Sequence, residues 1–361
     1  MGHLVDRMNR FDVFKGKRIF ITGDTGFKGS WLALWLTELG ANVVGYALPP
    51  KHKHDHFNLL QLEKRMHHVD GDIRDLPFLS KVVEEFQPEF LFHLAAQPLV
   101  RFSYENPKET LDTNIGGSVN LLEVARQSKT LRAMIYVTSD KCYKNMELTR
   151  GYREDDPLGG RDPYSASKAA AEIVFESYVY SFFDHKPDFG IVSTRAGNVV
   201  GGGDWSEDRI VPDCVKSLLG KEPILLRNPS STRPWQHVLE PLSGYLLLAV
   251  NLYQHPKKFS GAWNFGPNEE AIHTVEDLAK RVVAYWGSGH IEMGSVRKGT
   301  HYEAQLLHLN CDKARNLLGW NSRWDFDRTV EETVSWYRAV AAGEPTLTIS
   351  KQQIQAYLES E

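Results

Sequence analysis

Tyr164 and Lys168 stand four residues apart in the run Tyr164-Ser165-Ala166-Ser167-Lys168, and Ser139-Asp140-Lys141 precede them in the chain. On a helix a spacing of four puts both side chains on one face, where an ammonium group favours the ionised form of a neighbouring phenol. A free tyrosine, with a pKa of about 10, is a poor base near neutrality, so a cation beside it is a requirement for that role. Pairs at this spacing also recur by chance on surface helices, so the elements around the pair decide what it means.

Those elements alternate. Lys17 to Thr22 reads as a short strand, broken at Gly23 and followed by Gly26 and Gly29, an apolar helix over Trp31 to Leu39, and a second strand over Asn42 to Ala47. Glycines in a GxxGxxG spacing allow a tight turn and let backbone N–H groups approach a pyrophosphate at a helix N-terminus. The spacing alone is a weak signal; inside strand, turn and helix it marks Gly23, Gly26 and Gly29 as a dinucleotide loop. The acid that usually ends the second strand and binds the adenosine ribose is absent, and Tyr46-Ala47-Leu48-Pro49 stands there instead, which leaves NAD against NADP open. Asp72, in Val69-Asp70-Gly71-Asp72-Ile73, suits either an adenine amino group or a turn cap.

Further strands follow at Phe90 to Ala96 and Ile135 to Ser139, with Asn114 to Gly117 opening a helix over Ser118 to Arg126. Strands and helices in alternation predict an α/β fold, a doubly wound parallel (Rossmann) sheet, with ligands beyond the carboxyl ends of the strands. Ser139, Asp140 and Lys141 fall at such an end. After the strand Ile191 to Arg195 the elements shorten, and an amphipathic helix is predicted over Val275 to Trp286. The division expected is a cofactor domain over 11–195 plus about 230–262, a smaller mixed α/β substrate-binding lobe over about 196–229 plus 263–345, and a flexible N-terminus over 1–10, with Met8 a second possible start. Leu239 to Leu247 is expected to return to the large domain.

The bulk numbers exclude several classes. A net charge of −4 gives no general affinity for nucleic acid or an anionic membrane, and no apolar run reaches the length of a membrane span. The three cysteines, Cys142, Cys214 and Cys311, are widely spaced and form neither a disulfide framework nor a zinc set, which fits a reducing cytoplasm. Lys51 to His56 alternates Lys and His without a matching carboxylate or cysteine set, so a solvated loop is expected there and no metal.

From Phe11 to Leu318-Gly319-Trp320 and Ser335-Trp336-Tyr337, the chain resembles the extended short-chain dehydrogenase/reductase family. The resemblance rests on Thr22 to Gly29 as the cofactor loop, His93-Leu94-Ala95-Ala96 as the fourth-strand motif, and the pair Tyr164 and Lys168. Ser139-Asp140-Lys141 is similar to the Thr-Asp-Glu of nucleotide-sugar 4,6-dehydratases with lysine for glutamate. Together with Thr25 to Trp31, it looks like the branch that takes CDP-D-glucose in bacterial O-antigen synthesis.

The resemblance implies NAD as cofactor, with Thr25, Phe27, Lys28, Asp72, Ile73, Leu94, Ala95, Ala96, Asn114, Tyr164 and Lys168 lining it beside the loop glycines. It implies Ser139, Asp140, Lys141, Tyr164 and Lys168 as the catalytic set. It also implies Gln97, Ser139, Asn198, Arg209, Arg233 and His237 as substrate contacts, and a homodimer or homotetramer. Arg195 fits either a diphosphate contact or a structural role. The alternatives are another nucleotide-sugar 4,6-dehydratase, a 4-epimerase, which needs no acid for a leaving hydroxyl, and a regulator that senses NAD(P) without chemistry, in which the Tyr and Lys pair would have no use.

Overall fold

In the computed structural model, which describes residues 10–294 and 306–360 apart from the side chain of Glu269, a seven-stranded sheet runs through the larger part of the molecule. Its strands are β1 (Arg18–Thr22), β2 (Asn42–Ala47), β3 (His67–Asp70), β4 (Phe90–His93), β5 (Ala133–Val137), β6 (Gly190–Ala196) and β7 (Gly261–Phe265). They lie in the order β7-β6-β5-β4-β1-β2-β3, every pairing parallel. The winding reverses between β1 and β4, and at such a switch point the connections leave in opposite directions and open a crevice.

Alternate residues of one strand feed two cores. Ile19 and Ile21 face one, Phe20 the other, and all three are fully buried, as a parallel sheet covered on both faces requires. On the Phe20 side lie α2 (Leu76–Phe86), α3 (Ser118–Gln127) and α4 (Pro163–Tyr178), reached after α1 (Phe27–Glu38), which packs on the opposite side. The helix expected from Trp31 begins earlier, at Phe27, because the glycine-rich first turn hides its start from apolar periodicity.

The substrate side is built from short pieces: α5 (Ile210–Gly220), two-stranded ribbons such as Thr232–Pro234 with Ile272–Thr274, and α7 (Val275–Trp286), which follows α6 (Leu239–Gln254). The helix predicted at Val275 to Trp286 has those bounds, and Thr274 and Asp277 close a reciprocal capping box at its start. Helix α6 packs on β5 and β6, so the chain does return to the sheet there. Strand β7 straddles the expected boundary at 262–263, since its whole length pairs with β6. Helices α8 (Phe326–Ala341) and α9 (Thr346–Glu359) close the chain, with Tyr357 edge-on to both Trp35 and Trp324. Residues 1–9, including Met8 and nearly all of the expected flexible N-terminus, lie outside the described residues. Among the described residues no helix is long and apolar enough to cross a membrane, and the three cysteines are free and buried.

Candidate active site

The glycine loop joins β1 to α1 at the switch point. Gly23 has φ 79°, and a Cβ on it would sit 2.6 Å from the Ala95 nitrogen, so the loop presses against the turn after β4. A Cβ at Gly29 would meet the Gly23 carbonyl oxygen at 2.0 Å, which fixes helix against strand. Gly26, in contrast, faces nearly open space and caps α1 without a side-chain hydrogen bond, leaving the first N–H groups of the helix turned outward. Ala95 N–H donates to Thr22 Oγ1 at 3.3 Å and Thr25 Oγ1 donates to the Leu48 carbonyl at 2.9 Å, tying the loop to its neighbours. This cradle of outward N–H groups on a helix N-terminus fits the pyrophosphate of a dinucleotide.

At the expected adenosine end, Asp72 is engaged by its own neighbour: Arg74 Nη2 donates to Oδ2 at 2.5 Å, holding the carboxyl below its usual range. Tyr46 Oη donates to the Asp72 carbonyl, and the Ile73 side chain fills the space where a Cβ on Gly117 would fall. Beneath the loop, fully buried Asp24 meets His68, with Oδ2 2.7 Å from Nδ1. Burial pushes the Asp24 carboxyl up. His68 is also raised: desolvation opposes its charge, but the bond and charge of Asp24 outweigh it.

Strand β5 ends at Val137, and Ser139, still extended, caps a short turn, Asp140–Cys142. Ser139 Oγ donates to Asp140 Oδ1 at 2.8 Å and accepts from Lys141 N–H at 3.2 Å. Lys141 Nζ lies 3.7 Å from Asp140 Oδ1 and 3.5 Å from Asn198 Oδ1. Opposite stands α4, begun by Pro163 after an Asp162 cap that accepts from Ser165 N–H. Its register is set by Ser103, whose Oγ accepts from Tyr164 N–H, and by Asn114, which donates to Ser167 Oγ at 2.9 Å.

The phenol of Tyr164 is buried, and burial pushes its pKa up to about 12, with hydrogen bonding by Ser139 and the charge of Arg209 acting the other way. Lys168, also buried, is pushed down to about 8 by desolvation, against the charges of Glu172 and Cys142. Desolvation thus acts on both members of the pair, raising the phenol and lowering the amine, while Ser139 and Arg209 favour the phenolate. Lys28 joins them. Its amine is pushed down to about 8 by burial and by the charges of Arg209 and Lys168, and it lies 5.7 Å from the centre of the Tyr245 ring.

The remaining candidates divide. Asn198 reaches Lys141, and Arg209, held by Asp204 at 3.1 Å, lies within charge range of Tyr164 and Lys28. Arg233 sits on the ribbon strand Thr232–Pro234, its Nη1 donating to the Thr232 carbonyl at 2.7 Å. Three others turn inward. The Gln97 amide is spent on Leu99 of its own loop and on Thr110 of the short helix Pro107–Leu111. His237 is fully buried, its ring 4.7 Å from that of Trp324, and burial pushes its pKa down to about 3. Arg195 is an ion-pair partner of Glu172 at 2.8 Å, both nearly inaccessible, which settles its structural role. Glu172 itself was overlooked, although its place four residues beyond Lys168 was a readable signal.

A parallel sheet in this order, with a glycine loop at the switch point and Ser139, Tyr164 and Lys168 beyond the strand ends, defines an enzyme of the short-chain dehydrogenase/reductase type. A family profile described as GDP-mannose 4,6 dehydratase matches residues 20–333, and the chain belongs to that family. It is 47% identical over 351 residues to the CDP-glucose 4,6-dehydratase of Salmonella typhimurium, a match covering 96% of this chain and 98% of that one. Among solved structures it resembles dTDP-glucose 4,6-dehydratase of Bacillus anthracis in complex with NAD, with a TM-score of 0.75, 21% identity, and 92% and 100% of the two chains covered. It also resembles a UDP-glucose 4-epimerase of Thermus thermophilus in complex with NAD, with a TM-score of 0.75, 25% identity, and 89% and 99% covered.

Proposed function

We propose that this enzyme converts CDP-D-glucose to CDP-4-dehydro-6-deoxy-D-glucose and water, with NAD as cofactor. The observation that carries the reading is the placement of Asp140 and Lys141, 3.7 Å apart, on the turn begun by Ser139 and facing Tyr164. An oxidation at a sugar hydroxyl needs only the Ser, Tyr and Lys; an acid and an amine beside them are what an elimination adds. The 47% identity to a CDP-glucose 4,6-dehydratase supports the choice of nucleotide.

NAD, when bound, supplies a reversible acceptor that takes hydride from C4 of the sugar and returns it to C6. Gly23, Thr25, Gly26, Phe27, Lys28 and Gly29 would hold its pyrophosphate, with Leu94, Ala95 and Ala96 against the loop and Lys168 at the nicotinamide ribose. Tyr164 takes the proton of the 4-hydroxyl while Ser139 holds that oxygen. Once C4 is a carbonyl, the C5 proton is acidic because its loss gives an enolate. Asp140 donates a proton to the departing 6-hydroxyl, and Lys141 either receives the C5 proton or, kept charged, stabilises the enolate while a water or another side chain receives it; a proton returns to C5 when C6 gains the hydride. Asn198, Arg209 and Arg233 are the residues we assign to the diphosphate and sugar, arginine suiting the former through its planar fork.

We further place the enzyme in the cytoplasm, in a route to O-antigen dideoxyhexoses. We assign it a homo-oligomer paired through α4 and the turn after it, where Ile173, Tyr180 and Phe182 are exposed. The deciding experiment incubates the protein and NAD separately with CDP-glucose and with dTDP-, UDP- and GDP-sugars and follows 4-keto-6-deoxy product. Product from CDP-glucose alone is expected. A C4 epimer would favour the epimerase reading, and no product from any sugar would sink the enzymatic one.

A further inference from the structure

One buried carboxylate lies under the whole catalytic set. Glu172, on α4, is 2% exposed and takes three side-chain donors, one just past β5 and two on β6. Thr138 Oγ1 donates to Oε1, and Ser193 Oγ and Arg195 Nη2 each donate to Oε2 at 2.8 Å. Thr138 is the residue immediately before Ser139, so this bond ties the end of β5, and the turn that carries Asp140 and Lys141, to the helix that carries Tyr164 and Lys168. Arg195 carries the tie onward: Nη1 donates at 2.8 Å to Tyr143 Oη, just past the same turn, and at 2.9 Å to the Glu154 carbonyl.

The charge count adds a second role. Lys168 is four residues before Glu172 on the same helix and within range of its charge, while Arg195 pairs with that carboxylate directly. Arg195 spreads its bonds over Glu172, Tyr143 and Glu154, and its Nε has no partner among the described residues. Without Glu172 both cations would lose the carboxylate whose charge favours their protonated forms.

Resting on the dehydratase reading, we propose that Glu172 is a positioning residue of the reaction: it sets Ser139 against Tyr164 through Thr138, and it is the counter-ion that keeps Lys168 charged. The charged or titratable groups around the pair are few. Lys168 feels Lys28 from α1, His93 from β4 and Cys142 from the turn, while Glu172 feels Tyr136 from β5, Cys142 and Arg195. Of these, Lys28 and Arg195 are cations, and neither can serve Lys168 as a counter-ion. His93 is buried and pushed down to about 3, hence neutral, and Tyr136 is pushed up by burial, hence also neutral, so neither can replace the carboxylate.

Two substitutions separate the roles in the full chain loaded with NAD. Thr138→Val keeps the charge and removes the tie; kcat on CDP-glucose should fall by about tenfold or more through misplacement of Ser139, with KM within about twofold and the alkaline limb of the pH profile unmoved. Glu172→Gln keeps the shape and removes the charge; the alkaline limb should move to lower pH by about one unit or more. Independently of turnover, Lys168 observed by NMR of 13C-labelled lysine side chains should titrate at lower pH in Glu172→Gln than in the parent and unchanged in Thr138→Val. Wild-type kcat in Thr138→Val overturns the tie, and an unmoved Lys168 titration in Glu172→Gln overturns the counter-ion. If Glu172→Gln does not fold, the double variant Glu172→Gln/Arg195→Gln, which leaves no unpaired arginine, is titrated in its place under the same criterion. A parent protein that makes no product from CDP-glucose fails the dehydratase reading instead, and the NMR titration still decides the counter-ion.

Discussion

Lys141 Nζ stands 3.7 Å from Asp140 Oδ1, both on the turn that Ser139 begins. In the proposed elimination Asp140 gives up a proton and Lys141 gains one, so the acid and the base are neighbours that substitution can separate. Lys141→Met should then stop the reaction after oxidation at C4. Turnover is expected to fall by about 10²–10⁴, as for loss of a general base, while reduced cofactor accumulates on the enzyme. Exchange of the C5 proton with solvent separates the two roles of the lysine. Exchange at the parent rate in this variant would leave Lys141 no part as the base.

Asp140→Asn removes the acid and leaves the oxidation machinery in place. A fall in kcat of about 10²–10⁴ is expected, with C5 exchange continuing because Lys141 is intact. A substrate carrying fluoride at C6 needs no proton to lose its leaving group. It should restore much of the turnover in Asp140→Asn and none in Lys141→Met. Equal rescue of both variants would refute the division of labour.

Much of this site was legible because the signals are local. Tyr164 with Lys168, Ser139 with Asp140 and Lys141, and the glycine loop are each contained in a few consecutive residues, and the alternation of elements placed the last two at strand ends. What stayed hidden depends on residues distant in sequence that fill the space around a group. Arg195 is drawn into Glu172, His237 into tryptophans, and the Gln97 amide into Leu99 and Thr110, and no spacing announces any of these. Helical spacing brings Tyr164 and Lys168 to one face, but only the packed structure supplies the desolvation that acts on both.

Lys168 yields a pH prediction with two opposite signs. Its folded pKa, about 8, is below the unfolded value of 10.5, so between those values the unfolded chain binds more protons. The contribution of Lys168 to stability therefore rises with pH across that window, up to roughly 3 kcal/mol. Turnover needs the charged form and should fall through about pH 8. The parent should thus gain stability relative to Lys168→Met as the pH is raised from 8 to 10 in denaturant melts, while its kcat declines. Parallel trends in the two measurements would contradict the role given to the charge.

Glu240, at the start of α6, is fully buried where the chain end docks: Oε1 accepts from Arg323 and Trp324 N–H at 2.9 and 2.8 Å, and Tyr357 Oη donates to Oε2 at 2.7 Å. Burial pushes its carboxyl up to about 7, against the hydrogen bonds that favour the anion, so from the ordinary carboxyl range to about pH 7 the folded state binds more protons than the unfolded one. Stability from this group is present at low pH and lost as pH rises through that window, by roughly 3 kcal/mol in total. Glu240→Gln keeps an acceptor for the two backbone N–H groups and cannot ionise. It should therefore be more stable than the parent at pH 8, with the advantage shrinking toward pH 5 as the parent carboxyl protonates. Thermal melts of both proteins at the two pH values test this, and an advantage that did not change with pH would show that Glu240 is charged in the folded protein throughout.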